Sequence, residues 1–197
     1  MQPINNWNNV KAKSTREQLP VGGYVCRIIG AKEVTYQSDN GPFKKLEVGF
    51  DIIEGNYAGF YNNDYKAQEG YDNQKWTGVI RLNSPTDAPG EEWKATTFKS
   101  FTNAIEDSNP GYHWDWNEKL LKGKVVGVLV RNEEWEYEGK TGWKTKPFMF
   151  ISADNIREDK FKTPKDKPLN NSAANINQNN NFADMPLDDD LPFNREV

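Results

Sequence analysis

The strongest constraint on the fold is a strict alternation of apolar and polar or small residues between positions 45 and 52. The apolar members are Leu46, Val48, Phe50 and Ile52, and the residues between them are Lys45, Glu47, Gly49 and Asp51. Successive side chains of a β-strand point to opposite faces, so a period of two places the apolar set on one face. The segment therefore predicts a strand with one buried face.

Turn residues divide the rest of the first 163 positions into further elements. Apolar residues at positions 98, 101 and 105 recur at helical spacing and predict one helix over about 92–107, ended by Asn109-Pro110-Gly111. Runs rich in β-forming residues predict four more strands, at Tyr24–Ile29, Trp76–Leu82, Lys124–Arg131 and Pro147–Ile151.

The resulting order of three strands, a helix and two strands predicts a mainly β fold. It is the order of a five-stranded Greek-key barrel of the OB type, with the helix between strands 3 and 4 covering one end. A small β-sandwich accommodates the strands almost as well. The position of the helix favours the barrel.

Composition changes at Pro164. Residues 164–197 are rich in Asn, Asp and Pro and poor in bulky apolar side chains, so they cannot bury enough surface to offset the entropy of ordering. Residues 1–163 carry 22 basic and 23 acidic side chains, a net charge of -1, whereas residues 164–197 carry 3 and 6, a net charge of -3. We expect a folded domain over 1–163 and a disordered linker with an acidic tail over 164–197.

Residue counts argue against several kinds of site and location. A single cysteine, Cys26, and a single histidine, His113, exclude an internal disulfide and a Cys/His zinc site. The longest apolar stretch has six residues, at 125–130, against the roughly 20 that a membrane-spanning helix needs. The N-terminus lacks the features of a secretory signal. We therefore expect a cytoplasmic protein that does not contact a membrane.

Motifs for catalysis are weak in this sequence. It contains no Gly-rich phosphate-binding motif, and His113 has no motif Ser or Cys beside it. The best enzymatic alternative is a metal-dependent nuclease, because Asp87 and the later Glu138-Gly139-Lys140 resemble the spaced Asp and Glu-x-Lys that hold divalent ions. A hairpin turn also explains the second motif. We expect no catalytic residue, no metal and no cofactor.

Aromatic residues make up 13% of a chain that is only 36% hydrophobic. They are mixed with basic residues around two predicted turns, which correspond to the loops that frame the oligonucleotide groove of an OB barrel. The candidate DNA-binding residues are Tyr36, Phe43, Lys44 and Lys45 at the first turn, Trp76 and Arg81 on the third strand, and Trp135, Tyr137, Trp143, Lys144 and Lys146 at the second turn. Bases stack on such rings, and cations follow the phosphates. Half-buried packing of the rings on the sheet is the alternative.

The tail contains one specific motif, in which three acids precede three apolar residues. Its members are Asp188, Asp189, Asp190, Leu191, Pro192 and Phe193. The acids can contact a basic rim while the ring fills a pocket, which is how a short linear ligand binds a partner.

This motif resembles the acidic tip of bacterial single-stranded DNA-binding proteins, whose tails end in several Asp, a hydrophobic residue, Pro and Phe. The resemblance implies an OB domain, a flexible polar linker, and a tip that recruits replication, recombination and repair enzymes. In that family the Phe ends the chain, whereas Asn194-Arg195-Glu196-Val197 follow it here.

The domain resembles a phage and mobile-element family of single-stranded DNA-binding proteins from Gram-positive hosts. The segments that carry this resemblance are Leu19–Tyr24, Lys44–Phe60 and Leu121–Val128. Together the two resemblances imply a non-enzymatic protein that coats single-stranded DNA in phage or mobile-element replication or recombination, in the cytoplasm of a bacterial host. The rival interpretation is an adaptor whose β-domain binds a protein partner through its Trp residues.

Overall fold

The computed structural model describes residues 2–9, 17–39, 41–70 and 73–169. The expected disordered linker beyond Leu169 and the acidic motif at 188–193 lie outside the described residues. Within these ranges, three α-helices and two short 3-10 turns accompany five strands. The strands are β1 (Gly22–Ser38), β2 (Gly41–Ile52), β3 (Val79–Asn83), β4 (Val125–Tyr137) and β5 (Lys140–Ile151). The helices are α1 (Phe60–Lys66), α2 (Glu92–Ser108) and α3 (Ala153–Arg157), and the 3-10 turns are Trp7–Asn9 and Glu118–Leu121.

The five strands form one antiparallel sheet in the order β3-β2-β1-β4-β5. The central strand β1 pairs with β2 from Cys26 to Ser38, and its first six residues, Gly22 to Arg27, pair with β4. A bulge between Ile28 and Gly30 lies between the two halves of β1. Bulges bend a strand and increase its twist, which allows one long strand to serve two parts of the sheet.

The core lies on the face of the sheet that the alternation of β2 predicts. Leu46, Val48, Phe50 and Ile52 are all buried, so the predicted strand is confirmed. The helix α2 is also confirmed, because it spans Glu92–Ser108 and buries Phe98, Phe101 and Ile105 against the sheet. The Phe50 and Phe150 rings meet edge to face at 5.8 Å, joining β2 to β5 across the core.

The sequence predicts that the third strand begins at Trp76, whereas in the structure β3 begins at Val79. A Cβ at Gly78 would lie 2.4 Å from the Phe50 carbonyl oxygen and 2.7 Å from the Tyr61 ring. This close approach packs the preceding segment under α1, where the Trp76 indole donates hydrogen bonds to the carbonyls of Gly78 (3.1 Å) and Phe50 (3.3 Å). Before Val79, side-chain packing and one backbone hydrogen bond, from the Phe50 N–H to the Gly78 carbonyl at 2.8 Å, replace regular strand pairing.

The mainly β fold is confirmed, but the closed Greek-key barrel is not. Within the described ranges no ladder joins β3 to β5, so the sheet is open. These two edge strands nevertheless approach each other, and α2 packs against β3, β4 and β5. Among the described helices, none combines the length and apolar character that crossing a bilayer requires.

Residues 164–169, which composition groups with the tail, lie along the outer half of β4. The Lys167 N–H donates to the Asn132 carbonyl, and its carbonyl accepts from the Glu134 N–H, both at 2.9 Å. On the other side of the hairpin, the Gln18 side chain contacts the backbone of β5 at Trp143 and Thr145. The domain boundary at 163 stays a prediction.

Candidate nucleic-acid interface

The turn between β1 and β2 presents a stacked pair of aromatic rings. Tyr36 and Phe43 face each other across the two strands, with ring centroids 5.5 Å apart and planes 16° from parallel. Lys45, two residues after Phe43 on the same face, places its Nζ 5.4 Å from the Phe43 centroid and 5.7 Å from that of Tyr36. Burial, with the nearby Arg81 guanidinium, lowers the pKa of Lys45.

Behind the rings lies a buried acid that the alternation pattern assigns to the polar face. Glu47 pairs in register with Arg81 on β3, whose Nε donates to its Oε1 at 2.8 Å. The Tyr36 hydroxyl donates to the same oxygen. Glu47 is completely buried, and within the described part of the chain its Oε2 has no hydrogen-bond partner. Burial, together with the hydrogen bond to Glu47, raises the pKa of Tyr36.

We refer to this group as the β1–β3 cluster; its members are Tyr36, Phe43, Lys45, Glu47 and Arg81. Lys32, opposite Glu47 on β1, adds a further cation to the same face. Three cations and one acid therefore share this part of the sheet, which gives it a local positive charge although the domain as a whole is close to neutral.

Two other candidate residues near the first turn do not join the cluster. Lys44 lies on the opposite face of β2, where its Nζ is 2.7 Å from a Glu33 carboxylate oxygen. Trp76 precedes β3, and its indole is hydrogen-bonded to backbone carbonyls and packed beside the Tyr65 ring at 5.8 Å. These contacts make Trp76 part of the packing beneath the sheet.

The second turn forms a tight hairpin between β4 and β5. Its two residues, Glu138 and Gly139, have φ values of 49° and 74°, as the common two-residue hairpin turn requires. The register places Trp135, Tyr137, Lys144 and Lys146 on one face and Trp143 on the other. The side chains of Trp135 (40% exposed) and Tyr137 (68% exposed) are open to solvent.

Strand alternation separates the charges of this hairpin by face. The face that carries Trp135 holds one acid, Glu133, whose carboxylate lies 2.8 Å from Arg131 and 3.4 Å from Lys146. The cations of that face are Arg131, Lys140, Lys144 and Lys146. Glu134 and Glu136 lie on the opposite face with Trp143. The acidic run around Trp135 in the sequence therefore does not make the Trp135 face acidic.

The two surfaces lie towards opposite ends of β1. The β1–β2 turn follows Ser38, whereas the β4–β5 hairpin extends beyond Val130, which pairs with Gly22 at the other end of β1. The structure thus brings Tyr36, Phe43, Lys45 and Arg81 together, and separately Trp135, Tyr137, Lys144 and Lys146. It stays a prediction that the two surfaces border one groove.

Sequence reasoning missed two features of these surfaces. Arg131 places its guanidinium 3.9 Å from the centre of the Phe148 ring, and Glu47 is the buried centre of the β1–β3 cluster. No short-range signal identifies Glu47, because its position alternates with apolar residues just as a solvent-facing residue would. Only the register of β1, β2 and β3 places it beneath Tyr36 and Arg81.

The residues of the nuclease alternative lie on exposed turns. Asp87 is in the loop before α2, and Glu138 is at the tip of the β4–β5 hairpin. Among the described residues, no group of three or more His, Cys, Asp or Glu side chains could hold a metal ion.

No protein-family model matches the chain, and no curated protein matches it. The geometry and charge of the two surfaces therefore carry the functional proposal.

Proposed function

We propose that this protein binds single-stranded DNA without catalysing a reaction. The observation that carries the proposal is the β1–β3 cluster, in which two stacked rings on an open sheet face lie beside Lys45 and Arg81. Aromatic rings stack with unpaired bases for about 1–3 kcal/mol per base, and cations beside them bind the phosphates. A duplex hides its base faces, so this chemistry favours a single strand.

The strand order supports the same function. The order β3-β2-β1-β4-β5, with α2 between β3 and β4, is that of an OB barrel opened between β3 and β5. OB domains bind oligonucleotides on the face of strands 2 and 3 and in the loops after strands 1 and 4. On this proposal, the β1–β3 cluster and the β4–β5 hairpin correspond to those two regions.

The biological setting that we propose is replication or recombination of a phage or mobile element in the cytoplasm of a bacterial cell. Asp188 to Phe193, which lie outside the described residues, would then recruit replication or recombination enzymes. Burying one Phe is worth about 1.5–3 kcal/mol, so Phe193→Ala should weaken recovery of such enzymes from host lysate about tenfold or more. DNA binding by the same variant should not change. Equal recovery by wild type and variant would exclude the motif as a recruiting site.

The decisive test is a titration of the full chain with oligo-dT while tryptophan fluorescence is followed. Stacked indoles are quenched, and log affinity should fall with log salt at a slope of about -0.7 per phosphate contacted. A duplex of the same length is the matched ligand control. Equal affinity for duplex, or affinity independent of salt, would contradict the proposal.

One observation favours the protein-adaptor alternative. Trp116 is 72% exposed, has a φ of 67°, and lies parallel to the Phe98 ring at 6.2 Å, outside both candidate DNA surfaces. Large exposed rings are common at protein interfaces. The same titration separates the two functions, because an adaptor would show no quenching by oligonucleotide.

A further inference from the structure

Glu47 is a costly residue to place at the centre of a sheet face. Its carboxylate is completely buried, Oε1 accepts from Arg81 and Tyr36, and Oε2 has no partner among the described residues. A buried ion pair seldom stabilises a protein more than a well-packed apolar residue of the same size, and an unpaired buried oxygen weakens it further. Stability of the fold therefore does not explain a glutamate at this position.

The contacts of Glu47 explain it better. The Glu47 carboxylate accepts a hydrogen bond from the Nε of Arg81. A guanidinium has five N–H donors, so other donors of Arg81 can bind a phosphate. The same oxygen holds the Tyr36 hydroxyl and so fixes the ring that stacks on Phe43. One buried group on β2 thus sets the positions of a cation and a ring on the two strands that flank it.

We propose that Glu47 is a positioning residue of the DNA interface, whose carboxylate holds Arg81 for one phosphate and Tyr36 for one base of the bound strand. The inference rests on the proposed function and deepens it. Arg81 and Tyr36 then contact neighbouring groups of one DNA strand, because a single carboxylate oxygen accepts hydrogen bonds from both side chains.

The direction in which one substitution changes the affinity for DNA distinguishes a positioning role of Glu47 from an effect of its charge alone. Glu47→Gln keeps the size of the side chain and removes a negative charge from a DNA-binding face. If Glu47 acted only through its charge, the variant would bind single-stranded DNA more tightly. Positioning predicts about tenfold weaker binding to oligo-dT, and a salt slope smaller by about 0.7, the contribution of one phosphate.

Glu33→Gln is the matched control. Glu33 also lies on this hairpin, on the opposite face, where it contacts Lys44 (2.7 Å) and Ser84 (2.9 Å) rather than Arg81 or Tyr36. It undergoes the same change of charge, and its affinity for oligo-dT should stay within about twofold of wild type or become slightly tighter. Thermal unfolding by circular dichroism reports whether each variant is folded.

A mutant cycle tests whether Glu47 acts through Arg81 and Tyr36. If Glu47 acts by holding Arg81 and Tyr36, Glu47→Gln should have little further effect on affinity in an Arg81→Ala, Tyr36→Leu background, because the groups that it positions are gone. Equal effects in both backgrounds would overturn the proposal, as would Glu47→Gln binding at least as tightly as wild type.

If Glu47→Gln does not fold, Arg81→Lys provides the test. It keeps the charge but loses the planar fork, so binding to oligo-dT should weaken about fivefold. Unchanged affinity would overturn the inference. Failure of the proposed function is distinguishable throughout, because the wild-type protein itself would then show no salt-dependent binding to oligo-dT.

Discussion

The β1–β3 cluster and the β4–β5 hairpin carry the same kinds of side chain, but different contacts hold their rings. Tyr36 and Phe43 are half-buried, stack on each other, and are fixed by Lys45 and Glu47. Trp135 rests on Gly142, a contact so close that a Cβ there would lie 2.8 Å from the ring, and it is 40% exposed. The rings of the first surface are therefore held by stacking, a cation and a hydrogen bond, whereas Trp135 is more exposed.

This difference determines what each surface can contribute to binding. Fixing a mobile side chain on binding costs about 0.5–1.5 kcal/mol, which a ring held in advance does not lose. We therefore expect a base stacked in the β1–β3 cluster to contribute more affinity than one stacked on the hairpin. The hairpin, in turn, can adapt to DNA strands of different conformation.

The largest effect should come from removing the aromatic pair of the cluster. Tyr36→Leu with Phe43→Leu keeps apolar bulk on the sheet but removes the rings, so affinity for oligo-dT should fall about tenfold to a hundredfold. Fluorescence anisotropy of a labelled oligonucleotide measures it. Trp116→Leu removes an exposed ring elsewhere and should leave affinity unchanged; an equal loss there would mean that aromatic content, not the cluster, determines binding.

A smaller effect should come from the hairpin, and only from one of its faces. Trp135→Leu should weaken binding to oligo-dT about fivefold, because Trp135 shares its face with four cations. Trp143→Leu is the matched control, since Trp143 is similarly exposed but lies on the face with Glu134 and Glu136. Comparable losses in the two variants, measured by anisotropy, would show that the faces are not functionally distinct.

A still smaller effect is expected from Gly142→Ala. The added methyl group would displace the Trp135 ring, whose indole is free to move outward, so affinity should fall about twofold to threefold while the melting temperature changes little. Thr141→Ala, on the opposite face, is the control. Loss of affinity in the control alone would indicate that the opposite face of the hairpin, and not Trp135, contacts DNA.

The smallest effect concerns pH and arises from Lys45, the half-buried cation of the cluster. Because the pKa of Lys45 is lowered by burial and by Arg81, this side chain begins to lose its charge at a lower pH than an ordinary lysine of pKa 10.5. Affinity for oligo-dT should therefore fall slightly, by less than about twofold, as pH rises from neutral toward 10. Lys45→Arg stays charged over this range and should show no such fall in the same anisotropy titration. An identical fall in that variant would assign the titration to another group.

The sequence predicts those elements whose pattern is local. The alternation of Leu46, Val48, Phe50 and Ile52 depends only on strand geometry, and the spacing of Phe98, Phe101 and Ile105 only on helix geometry, and both predictions are confirmed. The start of β3 was predicted incorrectly because it depends on contacts of Gly78 with Phe50 and Tyr61, which are distant in sequence.

The site divides in the same way. The identities of its rings and cations can be read from the sequence, but their grouping depends on which faces the pairing selects. Lys44 and Lys45 are adjacent in sequence and lie on opposite faces, whereas Tyr36, Glu47 and Arg81 come from three strands and share two hydrogen bonds. Burial of Glu47 follows from that register and from nothing nearer in the chain.

Beyond Val130 the pairing of β4 with β1 ends, and Lys167 covers this side of β4. The Lys167 N–H donates to the Asn132 carbonyl, and the Lys167 carbonyl accepts from the Glu134 N–H. An uncovered strand edge of this kind is a template on which a second chain can add a strand. Residues 164–169 thus cover this edge beside the hairpin that carries Trp135. A truncated chain that ends at Thr163 would open this edge to a neighbouring copy, and one that ends at Leu169 would keep it covered.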